Sequence, residues 1–149
     1  MKIIRITFAI LFFFAVSSFT LMEETETFSL TINVHELHSS DGMVQFSLYN
    51  KDGSIPDEHF EKYYLQLKAE IVNNSSTITF KNIPKGTYAI NILHDEDNDG
   101  KVTKGWVLPI EGLGFSNFTS LNPLNRPNYK KAKFELEADK TMTIKIIYM

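Results

Sequence analysis

The sequence predicts an all-β protein, an antiparallel β-sandwich of about seven strands. Three observations predict it. Short segments place apolar residues at every second position, the signature of strands with one buried face. Clusters of Gly, Pro, Asn, Asp and Ser separate those segments. No apolar stripe of period 3.6 runs longer than a single turn.

The chain opens with an address. Lys2 and Arg5 precede the apolar run Phe8 to Val16, and Ser17, Ser18, Phe19 and Thr20 follow it. That order of charged, apolar and small residues is the pattern of a secretory signal peptide. The run is shorter than the roughly 20 apolar residues of a transmembrane helix, and no second hydrophobic segment follows. Residues 1–20 are therefore expected to be cleaved, with an uncleaved N-terminal anchor as the alternative. The mature protein is exported, to the periplasm or outside the cell, with no membrane span. There is no cysteine, which closes the bacterial lipid-anchor route and leaves no disulfide in an oxidising compartment. Stability must come from the core or from a metal. The formal charge of −3 becomes more negative once Lys2 and Arg5 are lost. Without a clustered basic patch, nucleic acid is not an expected partner.

Residues 21–27, with Glu23, Glu24 and Glu26, form a solvated leader, and a single β domain is expected over 28–149. Phe28, Leu30, Ile32 and Val34 alternate with Ser29, Thr31 and Asn33, predicting a strand over 28–36. After the Asp41-Gly42 turn, Val44, Phe46 and Leu48 alternate with Gln45, Ser47 and Tyr49 over 43–50. The short connection predicts that these two strands form a hairpin. The polar stretch from Lys51 to Lys62 reads as a loop with at most one helical turn. Leu65, Leu67, Ala69 and Ile71 predict a strand over 64–72, Asn73-Asn74-Ser75 a turn, and Thr77 to Phe80 a further strand. The Asn74-Ser75-Ser76 triplet is read as turn chemistry rather than as a glycosylation acceptor.

The centre of the chain carries the only stretch with an obvious chemistry. Pro84-Lys85-Gly86 is a turn, Thr87 to Leu93 a strand rich in β-branched and aromatic residues, and Asp95-Glu96-Asp97-Asn98-Asp99-Gly100 an acidic loop. Acidic oxygens at positions one, three and five with Gly at six are the first half of a calcium loop. An EF-hand proper is excluded, because Trp106 stands at position twelve where a bidentate Glu is required, and no helices flank the loop. From Gly105 to Asn128 the chain reads as one long irregular segment, punctuated by Pro and Gly and carrying Trp106, Phe115 and Phe118. Loops of this length tend to be functional or disordered, and its aromatic content argues against disorder. Two last strands are predicted over 131–136 and 141–148. The core is expected to rest on Phe46, Ile90, Ile92, Phe134, Ile144 and Ile146.

In order, a leading strand, Ile83-Pro84-Lys85-Gly86-Thr87-Tyr88-Ala89-Ile90, His94-Asp95 with its acidic continuation, and Gly112-Leu113-Gly114-Phe115-Ser116-Asn117 resemble the domain-of-unknown-function 2141 family. The resemblance runs from about Leu30 to the C-terminus. It implies an exported bacterial protein with a transthyretin-like or immunoglobulin-like sandwich, and it implies no activity. The chain departs from the family at Val102-Thr103-Lys104, where such proteins place another acidic or amide residue after the Gly-Lys pair.

Four acidic side chains within five residues repel one another unless neutralised, and Ca²⁺ accepts six to eight oxygens without strict geometry. The expected ligands are the side chains of Asp95, Asp97 and Asp99, the Lys101 carbonyl, and Thr103 or water; a solvated hairpin tip is the alternative. His94 shares a face with Tyr88, Ile90 and Ile92 and is expected to be a hydrogen-bonded residue at the core edge. His35, His38 and His59 have no ligand spacing and predict no zinc site. Trp106, Phe115 and Phe118 either form a platform for a protein or carbohydrate ligand or fold inward as a cap on the sandwich. The leading reading is an exported, non-enzymatic binding or accessory module whose Ca²⁺-bound loop stiffens the aromatic segment beside it. One rival is an extracellular hydrolase or lyase using His94 with Asp95 or Glu111. Another is a purely structural β-module of the cell surface.

Overall fold

The computed structural model describes residues 25–106 and 109–149; the signal segment and the first residues of the leader lie outside them. Eight strands and one helical turn follow in order: β1 (Thr27–Val34), β2 (Met43–Tyr49), β3 (Leu65–Ala69), β4 (Ser76–Pro84), β5 (Gly86–Asp95), β6 (Gly112–Phe115), α1 (Tyr129–Ala132), β7 (Phe134–Leu136) and β8 (Lys140–Thr143). They form two sheets, one ordered β4-β1-β8 and the other β3-β2-β5-β6, with β7 also paired to β5. The two sheets share one core. Leu30, Ile32 and Val34 of β1 and Phe80 of β4 meet Val44, Phe46 and Leu48 of β2 and Ile90 and Ile92 of β5, all of them buried. The all-β sandwich expected from the alternation is what forms.

The first expected hairpin does not form. β1 pairs antiparallel with β4 and parallel with β8, whereas β2 pairs with β3 and β5. The connection between β1 and β2 crosses from one sheet to the other. It is held by the buried Leu37 side chain, and the Leu37 N–H donates to the Asn74 carbonyl at 3.1 Å. Period-two patterning says which face a residue takes and nothing about which strand lies beside it. Three further expectations change. The segment from Gly105 to Asn128 contains β6. Lys131 and Ala132, the first two residues of the expected strand over 131–136, belong to the helical turn α1, capped by the Asn128 side chain accepting from Lys131 N at 3.0 Å. The last strand ends at Thr143, beyond which the chain pairs antiparallel with β6 at the Leu113–Ile147 bridge. Gly112 leaves room for the side chains there, since a Cβ would stand 2.4 Å from Ile146 Cγ2 and Tyr148 Cε1.

Of the expected core residues, Phe46, Ile90, Ile92, Ile144 and Ile146 are buried, while Phe134 is half-buried with the Lys140 ammonium 5.4 Å from its ring centre. The expected half-burial of β2 is exceeded, and β5 too is buried on both faces. Their second face is covered by the loop after β2 and by the segments around β6 and α1, through Ile55, Phe60, Phe115, Phe118 and Tyr129. Polar residues on that face are consequently buried, and the Tyr49 hydroxyl donates to Asp57 Oδ2 at 3.1 Å. Burial, then the neighbouring Asp57 charge, pushes the Tyr49 hydroxyl well above its ordinary pKa.

Ser116 rivets this cover to the sheet. Its buried hydroxyl accepts from Ile90 N at 2.9 Å and donates to the Ala132 carbonyl at 2.7 Å. Ser116→Ala strands the buried Ile90 N–H, while the Ala132 carbonyl keeps Asn117 Nδ2 at 3.1 Å, and should lower stability by about 1–3 kcal/mol in denaturant titration. A loss below about 0.5 kcal/mol would mean that the hydroxyl is not a rivet.

Candidate functional site

β5 ends by delivering side chains to opposite faces, because consecutive residues of a strand alternate. His94 points to the core side and Asp95 to the other, and both are fully buried. The acidic loop then turns through Asn98 and Gly100, each at positive φ (62° and 77°). Asn and Gly are the residues that tolerate this conformation, so the turn is written in the local sequence.

The three expected carboxylates converge: Asp95, Asp97 and Asp99 each offer an oxygen within 4.8 Å of the others. The loop is organised by its own acids. Gly100 N donates to Asp95 Oδ2 at 3.1 Å, Asp99 N to Asp97 Oδ1 at 3.0 Å, and Lys101 N to Asp99 Oδ1 at 2.7 Å. Thr103 lies alongside, its hydroxyl donating to Asp97 Oδ2 at 3.2 Å. Lys68 of β3 places its ammonium 3.1 Å from Asp95 Oδ2. Asp95 Oδ1 remains, buried and with no hydrogen-bond partner among the described residues. An uncompensated carboxylate oxygen at that depth is costly, and a hard cation would satisfy it.

The spacing of the acids revealed nothing of Glu111 or Lys68. Glu111 is buried and closes the loop at its base: Oε1 accepts from Glu96 N at 3.1 Å and Oε2 from Thr103 N at 2.8 Å. Burial raises its pKa above the ordinary carboxylate value. Gln45 of β2 adds a further tie, Nε2 to the Gly100 carbonyl at 3.4 Å.

The aromatic trio is split. Phe115 and Phe118 are buried, their rings 6.0 Å apart and edge-on, while Trp106 is fully exposed. The two phenylalanines therefore cap the second face of the sheet and offer no open platform. Beside them lies a cleft of about 380 Å³, walled by Val102, Leu113, Phe115 and Leu121, with Arg126 at its edge. Asn91 of β5 also lines it; the residue is buried, and its Oδ1 has no hydrogen-bond partner among the described residues. A largely apolar cleft with a few polar groups on its wall, here Asn91, Asp57 and Arg126 among them, is the common form of a ligand site. Val102 and Lys104, on the outgoing limb of the acidic loop, form part of its wall. That limb is fastened by the Lys104–Glu58 ion pair and by Ile110 N donating to the Thr103 carbonyl at 3.0 Å.

His94, Asp95 and Glu111 do not line this cleft. His94 Nε2 donates to the Asp41 carbonyl at 3.0 Å, and its Nδ1 accepts from the Tyr148 hydroxyl at 2.7 Å. Asp95 accepts from Gly100 N and the Lys68 ammonium, and Glu111 from Glu96 N and Thr103 N, so both carboxylates bond within the loop and its brace.

A family model described as "Uncharacterized protein conserved in bacteria (DUF2141)" matches residues 32–145. No curated protein and no solved structure matches the chain. Among the described residues no helix is long and apolar enough to cross a membrane.

Proposed function

The chain belongs to the DUF2141 family of bacterial proteins, and from that premise we propose an exported, non-enzymatic binding module whose acidic loop holds Ca²⁺ and thereby fixes one wall of the adjoining cleft. The observation that carries this reading is Asp95 Oδ1, a buried carboxylate oxygen with no hydrogen-bond partner among the described residues, in a loop whose other acids converge on it. Asp95, Asp97 and Asp99 supply side-chain oxygens, Lys101 its carbonyl, and Thr103 or water the remainder. Lys68 partly neutralises Asp95 from the other side, which moderates affinity. Dissociation constants of about 10⁻⁵ to 10⁻³ M suit a site of this kind. The cleft takes a ligand, from a protein or a carbohydrate, with an apolar body and an N–H or O–H that Asn91 Oδ1 can accept. Export, predicted by the leading charged and apolar residues, places the site where Ca²⁺ is plentiful.

Thermal melts of the mature protein in excess Ca²⁺ and in chelator test the loop. Saturation at about 100 times the dissociation constant adds about 2.7 kcal/mol, so the two melting temperatures should differ by about 5–15 °C. Asp97→Asn combined with Asp99→Asn should remove most of that difference. Superimposed wild-type melts, with no heat of binding at millimolar Ca²⁺, would reduce the loop to a solvated turn.

A further inference from the structure

The opposite face of the same strand end carries a second cluster. We propose that His38, His94 and Glu96 form a site for a divalent transition-metal ion of the zinc or copper class, distinct from the Asp95, Asp97 and Asp99 cluster. His38 Nε2, His94 Nδ1 and a Glu96 oxygen lie within 4.8 Å of one another. The sequence hides this, since His38 sits in the crossing between β1 and β2 and His94 at the end of β5.

His94 is prepared as a ligand. It is fully buried, and its Nε2 donates to the Asp41 carbonyl, which fixes the tautomer and leaves the Nδ1 lone pair free for an acceptor role. A backbone carbonyl on the far nitrogen is the usual way that a metal-binding imidazole is oriented. Tyr148 holds the other ring: it stacks on His38 with centroids 4.0 Å apart and planes 27° apart. Glu96 supplies the independent sign of a ligand. Its Oε1 is shielded from solvent, makes no hydrogen bond among the described residues, and lies against both imidazoles, 3.4 Å from His94 Nδ1 and in ion-pair contact with His38 Nε2.

Bonds of about 2.0–2.2 Å in a tetrahedral shell place neighbouring ligands about 3.3–3.6 Å apart; the His94–Glu96 separation of 3.4 Å already matches, and the closer His38–Glu96 pair opens as the ion enters. Two imidazoles with one carboxylate suit zinc, copper, nickel or iron and not Ca²⁺, whose ligands are oxygens. The Tyr148 hydroxyl, now bonded to His94 Nδ1, is displaced as the ion enters and stands next to the fourth position. An ion here ties the crossing loop to the end of β5 in a chain without cysteine.

Calorimetric titration of the mature protein with Zn²⁺, and the visible spectrum of its Co²⁺ complex, test the proposal. One ion per chain should bind, and the Co²⁺ bands should disappear on adding Zn²⁺. His38→Ala, at a half-exposed position that leaves the core intact, should weaken Zn²⁺ by at least about tenfold, the least that even an outer partner of a metal site contributes. Glu96→Gln should do the same. Asp97→Asn with Asp99→Asn should leave Zn²⁺ binding unchanged, and His38→Ala should leave the Ca²⁺ effect unchanged, so the two sites fail or stand separately. If wild type binds no Zn²⁺, or binds it equally well without His38, the trio is only an ion pair at the core edge and the proposal is wrong.

Discussion

Phe46→Ala should lower the stability of the mature protein by about 3–5 kcal/mol, the usual cost of truncating a buried aromatic side chain. Phe46 is fully buried at the centre of the sandwich. It lies between Leu67 of β3 and Ile92 of β5 in the register of the larger sheet, so no edge is free to close over the space it leaves. Denaturant titration with an unchanged m-value would report the loss as stability alone. A loss under about 1 kcal/mol would mean that the two sheets do not close over β2.

Gly42→Ala should be as damaging, for a different reason. Gly42 sits at φ +67°, and a Cβ there would stand 2.0 Å from the Asp95 carbonyl oxygen and 2.6 Å from Glu96 Cα. Backbone atoms cannot rotate aside, so β5 and the start of the acidic loop must shift. Gly53 provides the control: its φ is +77°, but nothing lies within 4 Å of an added Cβ. Gly53→Ala should cost only the left-handed penalty of about 1–2 kcal/mol. Gly42→Ala should add about 1–3 kcal/mol of overpacking to it. It should also shrink the Ca²⁺-dependent rise in melting temperature, since Asp95 is displaced, whereas Gly53→Ala should leave that rise intact. Equal losses from the two substitutions would show that the close approach at Gly42 is relieved without moving β5.

These two residues also mark how far the sequence is legible. Alternation with Gln45 and Ser47 puts Phe46 in the core, and it is fully buried there. The same alternation suggested that Gln45 and Ser47 face solvent, yet both are buried. What covers them comes from the loop after β2 and from the segments around β6 and α1, distant parts of the chain that no local period encodes. Gly42 was legible as a turn, but its contact with Asp95 and Glu96 exists only because β2 pairs with β5, Met43 opposite Asp95.

By itself, then, the sequence determined the strand faces, the turns and the acidic loop, because pleat alternation, positive-φ preference and the spacing of Asp95, Asp97 and Asp99 are properties of neighbouring residues. The tertiary structure alone decided that β1 joins β4 and β8 while β2 joins β5, that Glu111 and Lys68 brace the loop, that Asn91 lines a cleft, and that His38 meets His94. Each of these brings together residues far apart along the chain. Closing such loops costs entropy that varies only slowly with their length, so what selects one pairing over another is the packing of the whole core, which no local stretch of sequence records.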